Sequence, residues 1–256
     1  MPTCTTSIIS TVVSILNVRN VTKQIGGLLA VNSVSLTVGK NEIVGLVGPN
    51  GAGKTNLLNI ISGITRPTAG TVAFCGEDIT GLKADKICKK GIAKSFQIAE
   101  SFPNLSAHEC VMVGALFGTN HMPGMDEAKK RADDVLDFVG FPKEKTDTPN
   151  RSLNVVELKR VQLARALASN PKLLLLDELT TGLNPKESSE AVNLIKKIRM
   201  NGTSILIIEH VMSVIMGVSD RIVVLDHGEK IAEGRPYEVV NNQKVIDTYL
   251  GDLDVF

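Results

Sequence analysis

The chain has 256 residues, enough for one large domain with a full core and too few for a further catalytic domain beside it. Its 28 Lys and Arg balance 27 Asp and Glu to a formal net charge of +1, and with no long basic run the pattern argues against a nucleic-acid partner. Cys4, Cys75, Cys88 and Cys110 are widely spaced with no CxxC pair, which argues against a zinc site and fits free thiols in a reducing compartment, and no apolar run approaches the ~20 residues that span a bilayer.

Residues 7–18 are apolar and β-branched, but no Lys or Arg precedes them and no small-residue cleavage pattern follows, so they read as strand rather than as a secretion signal. Two β-rich segments, Ile15–Arg19 and Val31–Thr37, flank a turn containing Gly26 and Gly27 and predict an antiparallel pair. Glu42–Val47 then reads as a buried strand running into Gly48-Pro49-Asn50-Gly51-Ala52-Gly53-Lys54-Thr55, a GxxxxGK[ST] phosphate loop, with the apolar helix pattern Asn56–Ser62 behind it. Strand, loop and helix in that order are the context that makes the motif chemical. Glycines at 48, 51 and 53 let the backbone wrap a phosphate chain with its N–H groups turned inward, at the positive end of the following helix. Lys54 is then expected to reach the β- and γ-phosphates of ATP, and the Thr55 hydroxyl to ligate Mg²⁺ between them.

After a turn at Pro67–Gly70 come a short strand, Thr71–Cys75, and a charged helical stretch from Leu82 to Lys90. The strand-like Ile92–Phe96 leads to Gln97, whose residue type alone marks only an element boundary. Between residues 99 and 165 the pattern is helical, broken at Pro103, Gly118–Gly124 and Pro142, and predicts an inserted helical subdomain. Lys172–Asp177 resumes the alternation as a strand, followed by a helix at Lys186–Met200, the strand Ser204–Ile208, a helix to Val218, a hairpin over Ile222–Gly234 turning at His227-Gly228, and a short helical tail. Such alternation implies a largely parallel sheet covered on both faces.

Four leucines ending in Asp177-Glu178 place two carboxylates at the C-terminal edge of a buried strand, where open α/β sheets put their ligands. Asp177 suits Mg²⁺, held through its water shell, and Glu178 suits the orientation of a water attacking the γ-phosphate. His210, just beyond the strand Ser204–Ile208, leaves the sheet at the same edge and is placed to donate to a γ-phosphate oxygen.

From about residue 14 onward the chain resembles the ATP-binding-cassette ATPases, a P-loop NTPase core of the α/β class with an antiparallel β subdomain and an inserted α-helical subdomain. The resemblance implies a nucleotide-binding core at 14–98 and 166–256, a helical subdomain at 99–165, and an extension at 1–13 that is either an extra strand or the product of an upstream start. It makes Gln97 the glutamine that links the metal site to membrane subunits, His210 the switch histidine, and Leu176-Asp177-Glu178 the second nucleotide motif. Leu153-Asn154-Val155-Val156-Glu157 stands at the signature sequence and Thr181–Asn184 at the dimer loop. Gly26–Asn32, Gly182–Glu187, Ile208–His210 and the ending Val245–Gly251 are similar to the ATPase subunits of branched-chain amino-acid importers. That similarity implies permease subunits at the cytoplasmic face of the membrane, a second cassette and a solute-binding protein as partners.

The departures are informative too. Family signatures read close to Leu-Ser-Gly-Gly-Gln, whereas here Asn154, Val155, Val156 and Glu157 stand, and a valine at 156 adds bulk where backbone N–H groups approach a γ-phosphate across the dimer. Asn154 keeps an amide donor. Ile25 lies where an aromatic often stacks on adenine, Leu179 replaces a common proline, and Asn56 a common second hydroxyl. Intact Lys54, Glu178 and His210 beside an altered signature predict a heterodimer with one hydrolysing and one mainly binding site, with a homodimer as the alternative. A regulatory ATP-binding protein with little turnover, an exporter subunit and a soluble phosphoryl-transfer enzyme are the competing readings; the absence of an obvious lid or acceptor domain counts against the last.

Overall fold

The computed structural model describes residues 14–95, 102–119 and 123–251, and the extension at 1–13 and Gln97 lie outside them. Strands β1 (Ser14–Ile25) and β2 (Leu28–Gly39) pair antiparallel around the Gly26-Gly27 turn, where Gly26 has φ 59°. Both run longer than their apolar alternation predicts because the ladder continues through bulges between Val18 and Gln24. Strand β3 (Ile43–Val47) feeds the phosphate loop and helix α1 (Lys54–Ile61). Next come β4 (Ala69–Phe74), β5 (Glu77–Asp78), α2 (Ala84–Lys90) and β6 (Ile92–Lys94). The turn expected to reach Gly70 ends earlier, because Ala69 already pairs with Thr22 of β1.

Three helices follow: α3 (Ala107–Phe117), α4 (Met125–Phe138) and α5 (Val155–Ala168). Capping boxes start two of them, Ser106 with Glu109 and Asn154 with Glu157, each side chain bonding the other's backbone N–H. The remainder alternates as β7 (Leu173–Asp177), α6 (Pro185–Met200), β8 (Ser204–Ile208), α7 (Met212–Val218), β9 (Arg221–Asp226) and β10 (Glu229–Gly234), and ends in two helices, α8 (Pro236–Val240) and α9 (Gln243–Gly251), where a single helical tail was expected. Helix α6 opens on a third box, Asn184 with Glu187, and on Pro185 in its first turn.

The strands form a four-stranded antiparallel sheet, β2-β1-β4-β5, and a six-stranded sheet, β10-β9-β3-β8-β7-β6, in which only the β9–β10 hairpin is antiparallel. β3, β7 and β8 are buried along their whole length, which accounts for their unbroken apolar sequence. Alternation still sorts their side chains. Leu173 and Leu175 face α1 and the antiparallel sheet, whereas Leu174 and Leu176 face the core shared with α3–α6.

The α3–α5 interface depends on small residues. A Cβ built on Gly114 of α3 would stand 2.1 Å from the Arg165 carbonyl oxygen, and one on Gly118 would stand 2.2 Å from the Ser169 Cβ. Gly114→Ala should therefore destabilise the fold by about 1–3 kcal/mol in chemical denaturation, although alanine is the better helix former. A neutral or stabilising effect would contradict the close packing of these helices.

Candidate functional site

The phosphate loop is shaped by backbone contact on two sides. Gly48 (φ 147°) and Gly53 (φ 97°) have left-handed φ values, and a Cβ on them would lie 2.0 Å from the Leu225 carbonyl oxygen and 2.3 Å from that of Ala30. Gly51 shares the positive φ, at 81°, with open space around it. Lys54 is buried, and its ammonium donates to the carbonyls of Gly48 (2.6 Å) and Pro49 (2.8 Å), closing the loop on itself. Burial lowers its pKa, while the charges of Glu178 and Asp177 act in the opposite direction. The first turn of α1 contains no acidic side chain, so its N–H groups and positive end remain suited to an anion.

Strand β7 delivers Asp177 and Glu178 beside that loop. Asp177 is 3% exposed; its Oδ2 lies 3.4 Å from the Lys94 ammonium, and its Oδ1 has no hydrogen-bond partner. Burial raises its pKa, chiefly opposed by Lys94. An orphaned, desolvated carboxylate oxygen is the chemistry that a hard cation satisfies. Asp177, Thr55, Asn59 and Lys94 line one cavity of about 880 Å³ that runs on between α1, α2 and the helical subdomain. Among the described residues no group of three His, Cys, Asp or Glu side chains converges, so a metal here must complete its ligands with water and phosphate oxygens. The residues therefore fit Mg²⁺ bound together with a nucleotide.

Glu178 adopts φ 53°, a region non-glycine residues seldom occupy, and its Oε1 lies 2.8 Å from His210 Nε2. The two residues predicted at separate strand ends thus meet. The turn after them is held from both sides. Lys159 of α5 donates to the carbonyls of Glu178, Leu179 and Thr181, while the buried Glu209 accepts from the Thr180 N–H and hydroxyl, both at 2.7 Å. At the start of α5, Asn154 Oδ1 is taken up by the Glu157 N–H (2.9 Å), and Lys145 binds Glu157 at 2.6 Å, holding that carboxyl below its usual range. Val155 is exposed and Val156 half-buried at the same turn. Ile25, 52% exposed, sits at the tip of the β1–β2 hairpin with Leu28 and Leu29, which are also exposed.

Residues 31–181 match the ABC transporter family, and residues 229–254 match the family of branched-chain amino acid ATP-binding cassette transporters. The chain is 37% identical over 250 residues to the high-affinity branched-chain amino acid transport ATP-binding protein BraF of Pseudomonas aeruginosa, covering 93% of this chain and 98% of the relative. It is 36% identical over 251 residues to LivG of Escherichia coli, with the same coverage, and 35% identical over 239 residues to the lipopolysaccharide export ATP-binding protein LptB of Haemophilus influenzae, again with 93% and 98% coverage. Among solved structures, the ADP conformation of an ATP-binding cassette from an ABC transporter superposes with a TM-score of 0.84 at 29% identity, covering 93% of this chain and 99% of that one. The chain belongs to the ATP-binding subunits of ABC transporters.

In this ABC ATPase the sequence located the loop, the β7 carboxylates and His210, and the structure brings Lys54, Asp177, Glu178 and His210 to one edge of the six-stranded sheet. Lys94, Lys159, Thr180 and Glu209 were missed. Lys159 sits in a charged run that reads as a solvated helix face, and Lys94 in a three-residue edge strand. Glu209 carried a signal that went unused, an acidic residue directly continuing a fully apolar strand.

Burial lifts the Glu209 carboxyl above the usual range against the bonds from Thr180. A carboxyl raised in the folded state takes away stability as pH climbs from its unfolded value through its folded one. Glu209→Gln removes the charge and keeps an acceptor for the Thr180 N–H, so its melting temperature should gain on that of the wild type as pH climbs from the ordinary carboxylate range towards neutral, by a margin that widens with pH. A margin independent of pH would contradict the buried charge as its source.

Proposed function

We propose that the chain is the ATP-hydrolysing subunit of a membrane importer for branched-chain or related amino acids. The observation that carries hydrolysis is the convergence of the Gly48–Thr55 loop, Asp177, Glu178 and His210, with Glu178 Oε1 and His210 Nε2 at 2.8 Å. Import of such amino acids is supported by the BraF and LivG relatives and by the match at residues 229–254.

In this reading the N–H groups of Gly48 and of Asn50 to Thr55 grip the phosphate chain, and Asn56 extends the first helical turn behind them. The Lys54 ammonium exchanges the carbonyls of Gly48 and Pro49 for β- and γ-phosphate oxygens, and Ile25 lends an apolar face to the adenine. Thr55 and Asp177, with Gln97 from outside the described residues, would hold Mg²⁺, which neutralises charge building on the β- and γ-phosphates. Glu178 orients a water in line with the γ-phosphorus and takes its proton as the new P–O bond forms and the bond to the bridging oxygen of ADP breaks. His210 fixes the Glu178 carboxylate and donates towards the γ-phosphate.

Among the described residues no helix is long and apolar enough to cross a membrane, so coupling to transport calls for permease subunits, with this chain at their cytoplasmic face. A second cassette would complete the site, and a solute-binding protein would deliver cargo. The N-terminal turn of α5, with Val155, Val156 and the Lys145-bound Glu157, favours a partner cassette of different sequence that supplies the better signature. A homodimer would place the altered turn at both sites.

Lys54→Ala should abolish ATP binding, whereas Glu178→Gln should retain it and lower kcat by about 10²-fold or more, measured by equilibrium binding and phosphate release from the assembled transporter. Proteoliposomes carrying the chain with its permeases should accumulate leucine only with ATP. Retained hydrolysis in Glu178→Gln would overturn the assigned chemistry, and outward movement of lipid without amino-acid uptake would overturn the cargo.

A further inference from the structure

Two charged side chains without a task in the hydrolytic scheme, Lys159 and Glu209, grip different residues of one turn, 178–181. The Lys159 ammonium lies 3.2, 3.0 and 2.5 Å from the carbonyl oxygens of Glu178, Leu179 and Thr181. From the other side the Glu209 carboxylate accepts both hydrogen-bonding groups of Thr180. Charge-assisted bonds of this kind are stronger than neutral ones, and here all but that of the Thr180 hydroxyl bind backbone atoms. The backbone they bind is strained, because Glu178 occupies φ 53°. A left-handed glutamate persists only where its surroundings over-determine it, and this conformation sets the Glu178 carboxylate against His210.

We propose that Lys159 is a positioning residue for hydrolysis, which fixes the Glu178 carboxylate through its own backbone and ties that placement to the position of helix α5. Lys159 stands three residues after Val156, so the side chain that reaches the Glu178 turn and the altered turn at the helix start share one face of α5. Both line the same groove against Leu179, Leu183 and α6. A shift or rotation of α5, such as one imposed by whatever meets its N-terminal turn, would pull on three carbonyls around the hydrolytic carboxylate. Glu209 opposes that pull through Thr180, so the turn moves only if both contacts change. Neither residue touches the reacting atoms. The inference rests on Glu178 being the water-orienting group.

The test compares Lys159→Met, Lys159→Arg, Glu178→Gln and the double variant Lys159→Met/Glu178→Gln in the assembled transporter, with kcat and KM for ATP, equilibrium ATP binding and melting temperature for each. Lys159→Met should lose about 10- to 100-fold in kcat while KM and ATP affinity stay within about threefold, since only the placement of the attacking water is disturbed. Lys159→Arg, which still donates to the carbonyls, should recover most of that loss. The double variant should be no slower than Glu178→Gln alone, because both changes remove the same contribution. Wild-type kcat in Lys159→Met would overturn the proposal even if Glu178→Gln is inactive. So would a Lys159→Met variant that loses kcat, ATP affinity and melting temperature together and is not rescued by arginine, the signature of a merely structural lysine. If Lys159→Met does not fold, Lys159→Gln, with a neutral donor, serves instead: an intermediate kcat at unchanged KM supports the proposal, and a wild-type kcat overturns it. Wild-type hydrolysis by Glu178→Gln is a separate outcome, which would remove the reading on which this one rests.

Discussion

The site depends on the contact of two backbone carbonyls, those of Ala30 and Leu225, with glycines of the phosphate loop. Ala30 belongs to β2 of the antiparallel sheet and Leu225 to β9 of the parallel one, so the loop is cast in the gap between the two sheets. No side chain larger than hydrogen fits at residue 48 or 53. The conformation that turns N–H groups towards an anion is thus imposed from outside the motif, by strands distant from it in sequence. The antiparallel subdomain therefore shapes the proposed phosphate site through its backbone, besides carrying Ile25, the residue proposed to meet the adenine.

Around this loop the fold concentrates charge in a place where charge is costly. Lys54, Lys94, Asp177 and Glu209 are buried or largely so and Lys159 is half-buried, and burial opposes the ionised form of Lys54, Lys159, Asp177 and Glu209. Each is compensated locally: Lys54 by loop carbonyls, Asp177 at one oxygen by Lys94, Glu209 by Thr180, and Lys159 by three carbonyls. Among these five the compensation is incomplete at Asp177 Oδ1, which has no hydrogen-bond partner. The strained backbone of Glu178 lies in the same few ångströms. Desolvation and strain concentrated at one sheet edge, with fully apolar strands behind it, are what a preorganised phosphoryl-transfer site requires.

Much of this was legible in the sequence because it is local. Unbroken apolar runs gave β3, β7 and β8, and the glycine spacing of the loop gave its curvature, whereas the three capping boxes and Pro185, although equally local, were not used to place the helix starts. Asp177, Glu178 and His210 could be placed because a strand end needs only the strand to be found. What escaped depends on partners far along the chain. Lys159 looks like one cation in a charged helix run until Glu178 to Thr181 is seen folded against it, and Thr180 looks like an ordinary turn residue until Glu209 is brought to it. The need for glycine at 114 and 118 is likewise set by Arg165 and Ser169 on another helix, which no local pattern encodes.

The central claim is that Thr55 and Asp177 hold a divalent cation against the phosphates gripped by Lys54 and the loop. Its most direct test is electron–nuclear spin spectroscopy of the full chain with Mn²⁺ in place of Mg²⁺ and ATP bound. Manganese retained on the protein and coupled to phosphorus nuclei, with at least about tenfold weaker retention in Thr55→Ala and Asp177→Ala, is the result the geometry predicts. Protein-bound manganese that shows no phosphorus coupling, or retention unchanged in both variants, would contradict it.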